Sequence, residues 1–214
     1  MTDEFIREVD EDLRQERSIK LWQRFMPYIL SISLGIILFT TSYVVWDNYS
    51  KKSKQKLGDA FTAAVELAKE DDIDAALIAL DKIVDKGSDG YVTMAKMKKA
   101  SLLIELGKLE DGLKIYLDLE KNAFDQSFRD IATILYVMNS LDTQDPDLLL
   151  EKILPLEASN IWKSSALELK AFIFLRKKDT KLAIQIFQEI LDMKSKPSSL
   201  SSRSKNMIDF LKER

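Results

Sequence analysis

Two hydrophobic patterns share this chain. From Met26 to Trp46, twenty-one consecutive residues carry no Asp, Glu, Lys or Arg. From residue 57 onward, apolar residues recur at helical spacing among charged ones, as in LGDAFTAAVELAKE and SALELKAFIFLRKK. That spacing predicts amphipathic helices. With only 6 Gly and 4 Pro, and no alternating β-branched run, the reading is all-α. Turn signals fall at Asp71-Asp72, KGSDG (86–90), Gly107, DTQDPD (142–147) and KSKPSS (194–199). Helices of about 13 residues between such turns predict stacked helical hairpins.

The uninterrupted apolar stretch has another use. At about 1.5 Å per residue it is ~31 Å long, close to the hydrocarbon thickness of a bilayer. Trp22, Phe25 and Tyr28 flank one end, and Tyr43, Trp46 and Tyr49 the other. Amphipathic rings suit the two headgroup layers. Pro27 is expected in the first turn, where a missing N–H costs little. A core helix seldom stays apolar all round for this length. A signal peptide has a shorter apolar region and a small-residue cleavage site, whereas this stretch ends in Val-Val-Trp-Asp. The reading is a retained single-pass anchor: tail 1–25, span 26–46, basic juxtamembrane stem 47–56, soluble domain 57–214. Ser31 and Gly35 form a small-xxx-small pair within the span.

Charge alone ties the orientation. Arg14, Arg17, Lys20 and Arg24 lie before the span; Lys51, Lys52, Lys54 and Lys56 follow it. Long domains translocate largely regardless of charge, so the short tail should decide, with the N-terminus cytoplasmic and the domain outside. In the tail, Phe5, Ile6, Val9 and Leu13 gather on one helical stripe. Asp3, Glu4, Glu8, Asp10, Glu11, Asp12 and Glu16 outweigh Arg7, Arg14, Arg17, Lys20 and Arg24. That excludes a polybasic membrane-surface helix and leaves a docking helix or a solvated tail.

Three windows of the soluble part repeat: 63–80, 99–116 and 170–187. In each, a small residue is followed twelve later by another: Ala64 and Ala76, Ala100 and Gly112, Ala171 and Ala183. Larger apolar residues pair at thirteen: Leu67 and Leu80, Leu103 and Tyr116, Phe174 and Phe187. Small residues let paired helices approach, and large ones fill the space between pairs. The windows step by 36 and then 71 residues, close to one and two tetratricopeptide periods. The skipped unit near 127–155 lacks the small–small pair, and its second helix is expected to end at Pro155. The last helix would cap the stack. A repeat array presents a concave surface lined by first helices; here that surface would include Phe61, Met94, Met97, Glu168 and Phe172. Methionines suit adaptable apolar contacts. The same five residues packing between repeats is the alternative.

The segment NIWKSSALELKAFIFLRKKDTKLAIQIFQEIL, with the later KPSSLSSRSKNMIDFL, resembles the C-terminal part of the YfgM-like tetratricopeptide family, that of the ancillary SecYEG translocon subunit. The likeness rests on Trp162, Ala171, Asp179, Ala183, Phe187, Pro197 and Arg203. Lys178 departs from it, standing where a turn glycine is usual. The opening DEFIREVDEDLRQER resembles the same family. The resemblance implies a type II inner-membrane protein with a periplasmic repeat domain. It implies association with SecYEG, a membrane-anchored periplasmic chaperone and newly exported chains, without catalysis.

Composition narrows the chemistry. The chain has 46% hydrophobic and 31% charged residues and a net charge of −3, globular values that give no argument for nucleic acid. It contains no Cys and no His. Thiol nucleophiles, zinc–thiolate sites and the commonest general base are therefore excluded. The clusters DDID (71–74) and DTQDPD (142–147) lack calcium-loop spacing; Asp72 and Asp145 are expected to cap helices, with Pro146 first in its helix. A Ser–Lys hydrolase needs no His, and KSS (163–165) and SKPSS (195–199) supply both residues, without an oxyanion-forming glycine context. KKSKQK (51–56) is either a solvated stem or a lipid-headgroup contact. No cofactor, metal or small-molecule substrate is expected. The residues read as a membrane-anchored protein-binding scaffold, and the resemblance implies a place near the Sec translocon, assisting chaperone hand-off. A cell-envelope assembly scaffold with other partners is the second reading.

Overall fold

The computed structural model describes residues 2–87 and 89–213, and it divides into two compact units, Met1–Lys56 and Leu57–Arg214. Every regular element among the described residues is helical.

The first unit lies within helix α1, Thr2–Lys69. Among the described residues one helix is long and apolar enough to cross a bilayer, within Arg24–Lys69. Its aromatic residues Trp22, Phe25, Tyr28, Tyr43, Trp46 and Tyr49 are exposed. Pro27 corrects an expectation: it lies inside the helix rather than in its first turn. The apolar boundary does not start a helix here, because residues 2–26 contain no Gly or Pro to end one. Three hydroxyls in the apolar stretch are satisfied locally, as hydrocarbon would require. Ser31 donates to the Pro27 carbonyl at 2.8 Å, Thr40 to Ile36 at 2.8 Å and Thr41 to Ile37 at 2.7 Å. The stripe of Phe5, Ile6, Val9 and Leu13 lies outside the residues whose side chains are described, as do Arg14, Arg17 and Lys20.

The second unit takes up α1 from Leu57. It continues with α2 (Ile73–Lys86), α3 (Asp89–Glu105), α4 (Leu109–Asn122), α5 (Gln126–Ser140) and α6 (Pro146–Ile153). A 3-10 helix (Leu154–Ala158), α7 (Lys163–Arg176), α8 (Thr180–Asp192) and α9 (Ser198–Lys212) complete it. Sequential helices pack on one another.

Three hairpins turn identically. Seven residues after the small residue of the first helix, the backbone enters the left-handed region: Asp71 at φ 67°, Gly107 at φ 76°, Lys178 at φ 64°. The next residue donates its N–H back into the first helix: Asp72 to Leu67, Lys108 to Leu103, Asp179 to Phe174, at 2.8–3.0 Å. This closes the orphan carbonyls of the helix end. Asp72 and Asp179 then accept from the backbone of Ala75 (3.1 Å) and Leu182 (3.0 Å), capping the second helix. Asp145 caps α6 through Asp147, with Pro146 first in the helix.

The α5–α6 hairpin differs for a steric reason. One 36-residue step from Ala100 falls on Tyr136, not on a small residue. Tyr136 is buried, so α6 cannot approach α5 as α4 approaches α3. Helix α6 has only 8 residues, and Pro155 opens the 3-10 helix just beyond it. Arg176 of α7 donates to the carbonyls of Leu141 and Gln144, holding the longer turn.

Three apolar clusters follow one another along the chain. One holds Ala64, Ala76, Leu80, Ile83, Ala95 and Leu102. The next runs from Ala100 through Tyr116, Val137 and Leu149 to Leu169 and Ile173. The last holds Leu167, Ala171, Phe187, Ile190, Leu200 and Ile208. Helix α9 closes this cluster at the end of the stack.

Candidate protein-binding surface

The repeat-packing residues set the spacing of the helices that carry the surface. Ala64, Ala76, Leu80, Ala100, Ala171, Ala183 and Phe187 are fully buried, and Tyr116 nearly so. Gly112 shows why a small residue stands there. A Cβ at that position would come 2.5 Å from Ile104 Cγ1 and 2.8 Å from the carbonyl oxygen of Ala100. The backbones of α3 and α4 therefore approach closer than any side chain permits.

The five residues of the expected concave surface are all half-buried. Phe61 packs on the first apolar cluster and Met97 on the second. Phe172 packs on the third, edge-on to Phe187 with ring centroids 5.6 Å apart. Glu168 receives a bidentate hydrogen bond from Arg203, both contacts 2.8 Å. The pairing ties α7 to α9 and raises the Arg203 pKa through the hydrogen bond to Glu168. Phe61, Met97 and Phe172 are thus partly committed to packing, and Glu168 to Arg203.

Ion pairs join neighbouring helices down the stack, and sequence reasoning missed them. Asp81 of α2 pairs with Lys99 of α3. Lys96 of α3 pairs with Asp118 of α4 at 2.7 Å. Glu120 of α4 accepts twice from Lys152 of α6, at 2.8 and 3.0 Å, while that ammonium sits 5.1 Å from the Tyr136 ring centre. Glu157 accepts twice from Lys170 of α7. Hydrogen bonds from Lys96 and Asn122 hold the Asp118 carboxyl below its usual pKa. Burial raises that of Tyr116.

Between α2, α3 and α4 these pairs frame a pocket of about 240 Å³, lined by Asp81, Val84, Lys96, Lys99, Lys114, Ile115 and Asp118. Apolar walls with paired charges at the rim suit a side chain of a protein partner, since each ammonium keeps donors beyond the one its carboxylate uses. The sequence signal was Lys96-Met-Lys-Lys99 immediately before the small residue Ala100.

The structure places three of the hydrolase candidates. Ser164 is buried, Lys163 faces Glu189 at 3.8 Å, and Lys196 donates to the Met193 carbonyl at 2.7 Å. Among the described residues no group of three acidic side chains could hold a metal ion.

No curated protein and no solved structure matches the chain. A family model described as a tetratricopeptide repeat-like domain matches residues 20–209. That match spans most of the chain, from the edge of the apolar stretch into α9, and the chain belongs to the family of tetratricopeptide repeat-like domains.

Proposed function

We propose that this chain is a membrane-anchored helical-repeat scaffold that binds proteins beside the Sec translocon, in a bacterial inner membrane. Its repeat domain lies in the periplasm, where it assists hand-off of newly exported chains to a membrane-anchored chaperone. The observation that carries the reading is a single match over residues 20–209, reaching from the apolar stretch to the last helix. Tetratricopeptide repeat-like domains are generally non-catalytic interaction scaffolds, so the domain supports protein binding as the activity. The SecYEG assignment rests on the resemblance around Trp162, Asp179, Pro197 and Arg203.

Tethering explains how a modest binding surface suffices. Confinement raises the effective concentration of a weak binder, and avidity gains of about 10²–10⁴ follow in favourable geometry. The tagged full chain, extracted in mild detergent, is expected to retain SecYEG subunits and an anchored chaperone. A photo-reactive residue at Met97 or Phe172 is expected to cross-link to that chaperone or to an exported chain. Recovery of envelope-assembly proteins in place of translocon components would move the function to the second reading, with the fold unchanged.

A further inference from the structure

Four lysines occupy six consecutive positions directly beyond the apolar stretch: Lys51, Lys52, Lys54 and Lys56. All four are exposed. Residues 48–58 contain no Asp or Glu. Asp47 pairs with Lys51 at 2.7 Å, which answers one of the four charges. Of the other three, Lys56 has Asp59 three residues further along the helix, and Lys52 and Lys54 have no acidic residue three or four positions away.

Their arrangement around the helix selects the partner. At about 100° per residue, Lys52, Lys54 and Lys56 stand roughly 100°, 300° and 140° around the axis from Lys51. The charge spans about 200° of the circumference rather than marking one face, with Lys54 on the flank opposite Lys52 and Lys56. A docked protein covers one flank, so lysines on the opposite flank would gain nothing from it. A layer of lipid headgroups surrounds a lone helix on every side.

Height along the axis agrees. With about 1.5 Å per residue, Lys51 stands ~7.5 Å and Lys56 ~15 Å beyond Trp46. Trp46 and Tyr49 are each 75% exposed and are suited to the interface. The headgroup layer is roughly 5–8 Å deep on each side. Lysine stems lie back along the helix toward the interface, and the upper ammonium groups stay within about a Debye length (~8 Å) of the headgroups.

We infer that residues 51–56 form a collar that gathers acidic phospholipid headgroups around the anchor on the side of the repeat domain. The inference rests on the reading of Met26–Trp46 as a membrane span. It accounts for lysines placed on the flank where the positive-inside rule does not call for them.

The test uses the full chain with Trp22→Phe and Trp162→Phe, so that Trp46 is the remaining tryptophan. It is reconstituted in phosphatidylcholine vesicles containing a minor fraction of phosphatidylglycerol, with bromine on the acyl chains of one lipid or the other. At low salt, brominated phosphatidylglycerol is expected to quench Trp46 beyond its share of the bilayer, with enrichment on the order of fivefold for each lysine fully engaged. High salt should return the quenching toward that share. The variant carrying Lys52→Gln, Lys54→Gln and Lys56→Gln should lose the enrichment, while quenching by brominated phosphatidylcholine persists. Proportional quenching in the unsubstituted collar, or enrichment unchanged in the triple variant, overturns the collar. Displacement by inorganic phosphate but not by chloride at equal ionic strength overturns it too, identifying a free-phosphate site. Absence of quenching by either lipid overturns the membrane span itself.

Discussion

Lys178 holds a backbone conformation that a side chain resists. Its φ of 64° lies in the left-handed region, where an L-residue costs about 1–2 kcal/mol because Cβ crowds the following carbonyl. Lys178→Gly removes that cost. It also gives the unfolded chain more freedom, which takes back roughly 0.5–1 kcal/mol. The Lys178 side chain is exposed, so little packing is lost. The expected result is a stabilisation of about 0.5–1 kcal/mol. For a domain of this size each kcal/mol moves Tm by about 2–4 °C, so a rise of about 1–4 °C is expected. The assay is thermal unfolding of the detergent-solubilised full chain, followed by helical circular dichroism. Gly107 supplies the reverse experiment. It occupies the same place in the α3–α4 turn at φ 76°, with open space where a Cβ would go. Gly107→Ala should therefore destabilise through the backbone alone, by about 1 kcal/mol. Asp71→Gly should gain less than Lys178→Gly, because Asp tolerates this region better. An unchanged or lowered Tm for Lys178→Gly, alongside the expected loss for Gly107→Ala, would refute the equivalence of the two turns.

Three further outcomes are expected. Gly112→Ala and Ala183→Leu should each lower stability by about 1–3 kcal/mol through overpacking, measured by urea unfolding; a neutral Gly112→Ala would contradict the close approach of α3 and α4. The Asp118 carboxyl is depressed below its usual pKa when folded, so its contribution is complete above about pH 4 and is lost as pH falls through the lower folded value. Asp118→Asn should accordingly flatten the acid side of the stability curve and leave its alkaline side unchanged, as read from midpoints across a pH series. A reporter active only in the periplasm, fused after Arg214, should be active, and external protease should digest the domain in spheroplasts; a protected domain would reverse the orientation.

Much of the hairpin architecture was legible because it depends on short-range sterics. Small residues twelve apart leave few other ways for two helices to meet, and Asp72, Asp145 and Pro146 announce helix starts through groups that act within one turn. Lys178 was legible as a departure but not as strained, since φ is not written in residue type when a lysine replaces a glycine. Asp71 was hidden similarly, beside a capping Asp72 that accounts for a turn by itself. The ion pairs from Asp81 to Arg203 were not legible, because their partners are fixed by the rotation of one helix on another, and long charged side chains tolerate many rotations. Pro27 was misplaced because hydrophobicity changes at Met26 while helix propensity does not.

Two helices serve two cores at once. Ala95 and Leu102 of α3 belong to the first apolar cluster and Ala100 to the second. On α7, Leu169 and Ile173 belong to the second, and Leu167 and Ala171 to the third. No inner hairpin can open without exposing the cluster on either side of it, so a break in the middle of the stack is costlier than fraying at α9. Slow amide hydrogen exchange should therefore concentrate in α3 and α7, and α9 should exchange first. A partner that grips the α3–α7 region would meet a surface already rigid. One that engages α9 would have to select among its closed and frayed forms, and its association rate would report that equilibrium.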